Sequence, residues 1–181
     1  CLIAYKGENL NVIIPDYITA IGEYVFHEHD IISVDIPDSV TSIEEAAFAC
    51  SKLTSIKIGN SVNSIGNSAF YECTNLTSIE IPSSVTSIEW SAFSECVNLT
   101  SIKIPSSVIS IRSDAFEFCT KNLIFYVEKD STAHKYAKEK GYRFCYVGDD
   151  AVSLENITIV VEDGGNPIIN KGNTLNLIIS A

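Results

Sequence analysis

Residues 81–108 read IPSSVTSIEWSAFSECVNLTSIKIPSSV, and the phrase that opens the stretch closes it again. Self-similarity at a fixed period decides a fold before local propensity does, because a repeat unit cannot bury its hydrophobic side alone. Working outward from the Ile-Pro corner, the chain passes through the same phrase five times. The passes start at Pro15, Pro37, Gly59, Pro82 and Pro105, at spacings of 22, 22, 23 and 23. Apolar marks recur in order within each pass. Ile18, Val40, Val62, Val85 and Val108 come first, then Ile21, Ile43, Ile65, Ile88 and Ile111. Phe26, Phe48, Phe70, Phe93 and Phe116 follow. A Leu-x-x-Ile-x-Ile run closes the unit, clearest as Leu53/Ile56/Ile58, Leu76/Ile79/Ile81 and Leu99/Ile102/Ile104.

The last two apolar residues of that run alternate, so they point to one side of a strand. Proline then ends the strand because it cannot donate to a ladder. Val-Thr-Ser-Ile reads as a second short extended piece, and the Phe and Cys positions as a tighter return. Each unit is therefore one coil of a solenoid, with equivalent residues stacked in ladders. Five coils at about 4.8 Å per rung give a ladder of about 24 Å, which needs capped ends.

The repeat occupies 1–122. Residues 123–147 break it and read as a cap. Asp130-Ser131 precedes Ala133, Tyr136 and Ala137 at helical spacing, Lys138 and Lys140 lie in the last turn, and Gly141 stops the helix. Phe144 to Val147 reads as a strand. Residues 148–181 shift to Gly/Asn turns between β-type runs, too few for a full sandwich of roughly 100 residues, so a partial β segment is expected.

Cys50, Cys73, Cys96 and Cys119 are spaced by 23, 23 and 23. A repeat with one small buried slot per coil explains a constant interval better than a disulfide framework does, so these four are read as a structural ladder of buried thiols. Pairing of Cys1 with Cys145 stays open.

Of the 181 residues, 46% are hydrophobic and 19% charged, which is wrong for disorder. No apolar run approaches the ~18 residues needed to cross a bilayer. The chain begins at Cys1 without an initiating Met or a leader, and is expected to be a mature or excised piece of something longer. Its net charge is −11, with 15 acidic against 6 basic side chains in residues 1–122. That excess disfavours a nucleic-acid partner and an anionic membrane surface.

The units resemble the BspA-like class of bacterial surface leucine-rich repeats. The likeness rests on IPSSVTSI, on AAF or SAF with a Cys soon after, and on NLTSIKIP, over residues of about 10 to 122. STAHKYAKEKGYRF is similar to the capping segment that follows such repeats, and NKGNTLNLIISA to the opening of a group 2 bacterial immunoglobulin-like domain. The first unit departs with YVFHEHD, and Gly59 replaces a corner proline. The fold expected is α/β: a right-handed leucine-rich-repeat solenoid with a short parallel-strand ladder, a helical C-terminal cap and a β-rich fragment. The resemblance implies an extracellular module on a bacterial surface or secreted from it. Its implied role is adhesion, through a host matrix or cell-surface protein as partner. A structural spacer, or an accessory module of a larger secreted and carbohydrate-active protein, are the alternatives.

No phosphate loop or nucleophile elbow occurs, and no cofactor is implied. His27-Glu28-His29-Asp30 is the one candidate metal cluster. Its two histidines would share a strand face, but no third ligand follows at fixed spacing, and a solvated loop is the plainer reading. The positions between the inward Ile residues are Ile13, Asp35, Lys57, Glu80 and Lys103. Asp35, Lys57, Glu80 and Lys103 alternate in sign along one row of the outer, concave face. Opposite charges on adjacent strands support pairing by about 0.2–1 kcal/mol each, and the same strip could guide a protein ligand. Ser33, Ser55, Ser78 and Ser101 flank it. Carbohydrate platforms offer exposed aromatics, and this row offers none. Tyr71 and Trp90, near the Phe corners, are the candidate aromatic anchors. The expectation is a non-catalytic, monomeric recognition module, with no enzyme site.

Overall fold

The computed structural model describes residues 1–147. Long and short strands alternate along it: β1 (Asn11–Ile13), β2 (Ala20–Ile21), β3 (Ser33–Asp35), β4 (Ser42–Ile43), β5 (Ser55–Lys57) and β6 (Ser64–Ile65). They continue as β7 (Ser78–Glu80), β8 (Ser87–Ile88), β9 (Ser101–Ile104), β10 (Ser110–Ile111) and β11 (Ile124–Val127). Helix α1 (Thr132–Lys140) and β12 (Arg143–Tyr146) follow. The Val-Thr-Ser-Ile strands form one parallel ladder in the order β2-β4-β6-β8-β10. The Leu-x-x-Ile-x-Ile strands form a second, in two sections: β1-β3-β5, and β7-β9-β11-β12. This is the expected solenoid. It has six long rungs before β12, because β11 pairs with β9 in register and carries the ladder through Val127, beyond residue 122.

Between the two ladders lies the core. Phe26, Phe48, Phe70, Phe93 and Phe116 stack face to face, with successive centroids 5.1, 5.3, 5.1 and 5.1 Å apart and planes within 6°. Aromatic pairs in offset stacks contribute about 0.5–1.5 kcal/mol beyond burial, so identical spacing rewards an identical residue in every coil. The corners around Phe hold non-glycine residues at positive φ, among them Ala46, Cys50, Ser68, Glu72, Ser91 and Glu95. Several of these amides donate to the next coil, for example Ala46 N to Asn67 O at 2.9 Å and Cys50 N to Tyr71 O at 2.7 Å. Bonding between coils thus offsets a backbone cost of about 1–3 kcal/mol per residue.

The small buried slot lies three residues after Phe48, Phe70, Phe93 and Phe116. Cys73, Cys96 and Cys119 fill it, and their thiols donate to the Phe48, Phe70 and Phe93 carbonyls at 3.2, 3.1 and 3.1 Å. In the 22-residue coil that starts at Pro37 the slot belongs to Ser51, whose N–H donates to Phe48 O as Cys73 N–H does to Phe70 O. Cys50 is therefore not a member of the thiol ladder, correcting the sequence expectation. It stands one place earlier, half-buried, in register with Glu72 and Glu95, and its thiol donates to Glu72 Oε2 at 3.1 Å. The constant interval of 23 arose because that coil is one residue short and its Cys one residue early.

Both ends of the Phe stack are covered. Tyr5 lies over Phe26 at 5.0 Å, and Leu2 bridges to Ile21. At the other end Phe125 meets Phe116 edge-on at 5.0 Å, and Tyr136 of α1 packs beside both. The Tyr142 hydroxyl donates to the Phe116 carbonyl at 2.6 Å, the place a further thiol would take. Helix α1 has the expected anatomy: Ser131 caps the His134 N–H, Ala133, Tyr136 and Ala137 are buried, and Gly141 closes it at φ 73°. Cys1 and Cys145 sit at opposite ends of the ladder, too far apart for a bond that needs Cα atoms within about 7 Å. The immunoglobulin-like segment expected over 148–181 lies outside the described residues.

Candidate functional site

Alternation along the long strands sends Val34, Ile79 and Ile102 inward and leaves two outward rows. One runs Asn11, Ser33, Ser55, Ser78, Ser101 and Ile124. The other runs Ile13, Asp35, Lys57, Glu80, Lys103 and Tyr126. Register stacks the charges as the sequence suggested. Lys57 Nζ reaches Asp35 Oδ1 at 3.4 Å, and Lys103 bonds Glu80 Oε1.

The row is not continuous. β5 and β7 are not paired. Elsewhere Thr54 N donates to Ile32 O, Thr100 N to Thr77 O, Ile36 N to Lys57 O and Ile81 N to Lys103 O. The corresponding bonds from Thr77 N and Ile58 N are missing at this junction. The change from 22-residue to 23-residue coils falls here, since Phe70 to Leu76 is one residue longer than Phe48 to Leu53. On the other side Gly59 is drawn against the preceding coil: a Cβ there would stand 2.3 Å from Pro37 O. Ile56 at the break is only half-buried, whereas its equivalents Val34, Ile79 and Ile102 are buried. The charged row thus resolves into two ion pairs, Asp35–Lys57 and Glu80–Lys103, one on each side of the break.

At the break the outward face carries an open depression of about 360 Å³. Ser55, Ser78 and Ser101 line it with Ile56, Ile79, Glu80, Lys103 and Tyr126. Tyr126, 37% exposed, is the functional candidate that sequence reasoning missed. The row does offer an aromatic, contrary to expectation. Its signal was the alternation Leu123/Phe125/Val127, which places Tyr126 outward in register with Lys103. Among the described residues the hydroxyls of Ser55, Ser78 and Ser101 make no hydrogen bond, whereas Ser33 Oγ is taken up by Asn11 Oδ1 at 2.7 Å.

The other candidates lie elsewhere. Trp90 is 48% exposed at the corner after β8, with the Arg112 guanidinium 4.9 Å from its ring centroid and held by Glu89 at 3.4 Å. Tyr71 is half-buried, and its hydroxyl donates to Glu95 Oε1 at 2.8 Å, which pushes its pKa up to about 12. Neither lines the depression. His27 and His29 do not share a strand face, because residues 23–28 form the turn around Phe26. His27 packs edge-on against Tyr24 at 5.6 Å, and His29 against Tyr5 at 5.6 Å. No cluster of three or more metal-ligating side chains occurs among the described residues. Burial pushes the thiols of Cys73 and Cys119 up to about 12 and that of Cys96 well above its ordinary value. That direction opposes thiolate chemistry. No helix among the described residues is long and apolar enough to cross a membrane.

Three solved structures share this architecture. A leucine rich cell surface protein of Faecalibacterium prausnitzii A2-165 is 34% identical with a TM-score of 0.68, covering 75% of this chain and 36% of that one. The T. pallidum leucine rich repeat protein is 30% identical with a TM-score of 0.65, covering 68% and 61%. A leucine-rich repeat protein from Bacteroides ovatus is 29% identical with a TM-score of 0.61, covering 76% and 42%. The chain thus spans less than two thirds of the length of each. No curated protein matches it. The BspA type leucine rich repeat region matches residues 4–123 in six copies. The repeat, the double ladder and this match agree: the chain belongs to the BspA-type leucine-rich-repeat family.

Proposed function

We propose that this chain is a non-catalytic recognition module, displayed on or released from a bacterial surface, that binds a protein partner through the outward face of its long-strand ladder. The observation that carries the reading is the depression at the β5/β7 break, an interruption of a rigid sheet flanked by two ion pairs and edged by Tyr126. A rigid ladder loses little conformational freedom on binding, so contacts made on it are not spent on ordering loops. Ion pairs this exposed contribute about 0–1 kcal/mol to stability, which leaves them available for steering and register. Size limits the reading. Six rungs at about 4.8 Å, each about 10 Å long, give a strip of roughly 290 Å². A standard interface takes roughly 800 Å² per partner, so a protein ligand must also cover the rims of the strip. The chain acts as a monomer in this reading.

The test is saturable binding of the 181-residue chain to immobilised matrix glycoproteins and host-cell proteins. Two charge-reversed variants that keep the net charge accompany it, Asp35→Lys/Lys57→Glu and Glu80→Lys/Lys103→Glu. Binding to one protein, weakened about tenfold by the second swap, supports recognition at the depression. Binding that ignores both swaps and falls with Trp90→Ala or Tyr71→Ala moves the site to the Phe corners. No binding to any member of the panel favours a spacer between other domains.

A further inference from the structure

We infer that the depression at the β5/β7 break is a subsite for a neutral saccharide. The inference deepens the preceding reading and rests on it, since it makes this face the recognition face and gives the bound group a chemistry. The surface is polar with one aromatic edge. Ser55, Ser78 and Ser101 present hydroxyls with no partner among the described residues, each able to donate and accept. Glu80 and Lys103 add a paired acceptor and donor on the same wall, both with side chains at least half exposed. The carboxylate keeps a second oxygen for a ligand hydroxyl, and such charge-assisted bonds are roughly twice as strong as neutral ones.

A sugar ring is the ligand that needs this combination. Its hydroxyls each donate and accept, as the serines do, and its C–H face packs on an aromatic ring. Tyr126 supplies that ring. It stands one rung from Lys103 and two rungs, or about 9.6 Å, from Glu80, so a ring resting on Tyr126 meets Lys103 and Ser101. A second ring then covers Ser78 and Glu80. Nothing in the depression suits a bulky apolar peptide anchor. Its apolar floor is Ile56 and Ile79, the second of which is buried. Charge selects among sugars. The only cation in the depression is already paired with Glu80, and the chain carries −11, so sialylated or uronic residues are disfavoured. The break makes the site: a continuous β5–β7 pairing would close the gap that opens the depression and would bury Ile56 as its equivalents are buried.

The experiment is a titration of the 181-residue chain with methyl hexosides, methyl N-acetylhexosaminides and their short neutral oligosaccharides, read by NMR shift changes or calorimetry. Sialyllactose and a uronate serve as anionic controls. A monosaccharide held by one ring and a few hydrogen bonds is expected to bind with a dissociation constant of about 1 mM, and a disaccharide more tightly. Tyr126→Ala should weaken binding about tenfold, Tyr126→Phe much less, and Glu80→Gln/Ser78→Ala should act mainly on the disaccharide. Circular dichroism of each variant should match the parent, because all three residues are exposed. Binding unaffected by Tyr126→Ala but lost on Trp90→Ala overturns the inference, as does preference for the anionic sugars. Loss of all saccharide binding, with protein capture that survives enzymatic deglycosylation of the partner and still responds to the Glu80/Lys103 swap, also overturns it. That last outcome leaves the protein-recognition reading standing.

Discussion

Three thiols in identical slots make the residue scale of this fold unusually easy to interrogate. Cys73, Cys96 and Cys119 donate to the Phe carbonyls of the preceding coil, and burial raises the pKa of each, to about 12 for Cys73 and Cys119. Tyr142, also buried, is pushed up to about 12. All four hold their protons more tightly in the fold than in the unfolded chain, where a thiol titrates near 9 and a phenol near 10. Their contribution to stability is therefore complete below pH 9 and is lost as the pH rises through the folded values. The urea midpoint of the native chain should be flat from pH 7 to 9 and fall between pH 9 and 12. Replacing the three thiols by alanine should lower the midpoint at pH 7 but flatten that alkaline fall. An equally steep fall in the triple variant would remove the thiols as its cause. The Cys50 assignment shows where the sequence misled. A constant interval of 23 was legible, but so was the distance from Phe, which is two for Cys50 and three for the others. The slot is defined by packing against the Phe turn, and only the second measure tracks it.

At the scale of the element, one junction differs from the rest. The corner proline of other coils is Gly59 here, and a Cβ at that position would lie 2.3 Å from the Pro37 oxygen and 2.5 Å from its carbon. Neither atom can move without shifting the coil. Placing a side chain here, as Gly59→Ala or as the repeat's own proline in Gly59→Pro, should therefore destabilise the chain by about 1–3 kcal/mol, although the second makes the sequence more regular. A urea midpoint equal to or above that of the parent in either variant would show that the close approach is not required. Helix α1 was legible residue by residue, because a cap, an apolar face and a glycine stop are local signals. Strand β11 was not. Its Leu123 stands two residues before the inward Phe125, where Leu99 stands three before Ile102, so the repeat template slips by one. The β5/β7 break was hidden for a related reason. A one-residue change of coil length was visible, but whether it is absorbed in a corner or in the ladder depends on contacts between coils, which no single unit encodes. Tyr126 and the depression, which depend on β11 and on the break, could not be read before both were known.

Across the whole molecule, stability is nearest-neighbour: each coil touches the coils beside it, and the terms add along one axis. Such an object has two weak places, its ends, and the hydrophobic stack must be closed at both. Tyr5 and Leu2 close one end against Phe26 and Ile21. The other end depends on Phe125, Tyr136 and Tyr142, which together cover Phe116 and satisfy its carbonyl. Deleting one large core side chain typically costs about 3–5 kcal/mol, and a domain holds only about 5–15 kcal/mol in total. Ending the chain at residue 122 removes all three aromatics and α1 at once, and leaves the face of Phe116 and the β9 edge open. That truncated chain should unfold at markedly lower urea than the intact chain and self-associate as its concentration rises, because an uncapped ladder offers both an apolar face and unpaired strand groups. Phe125→Ala tests the same term without exposing a strand edge, and should lower the midpoint while leaving the chain monomeric by light scattering. If the truncated chain unfolds at the same urea concentration as the parent and stays monomeric, the solenoid is stable without closure, and residues 123–147 serve the outward face through Tyr126 rather than the core.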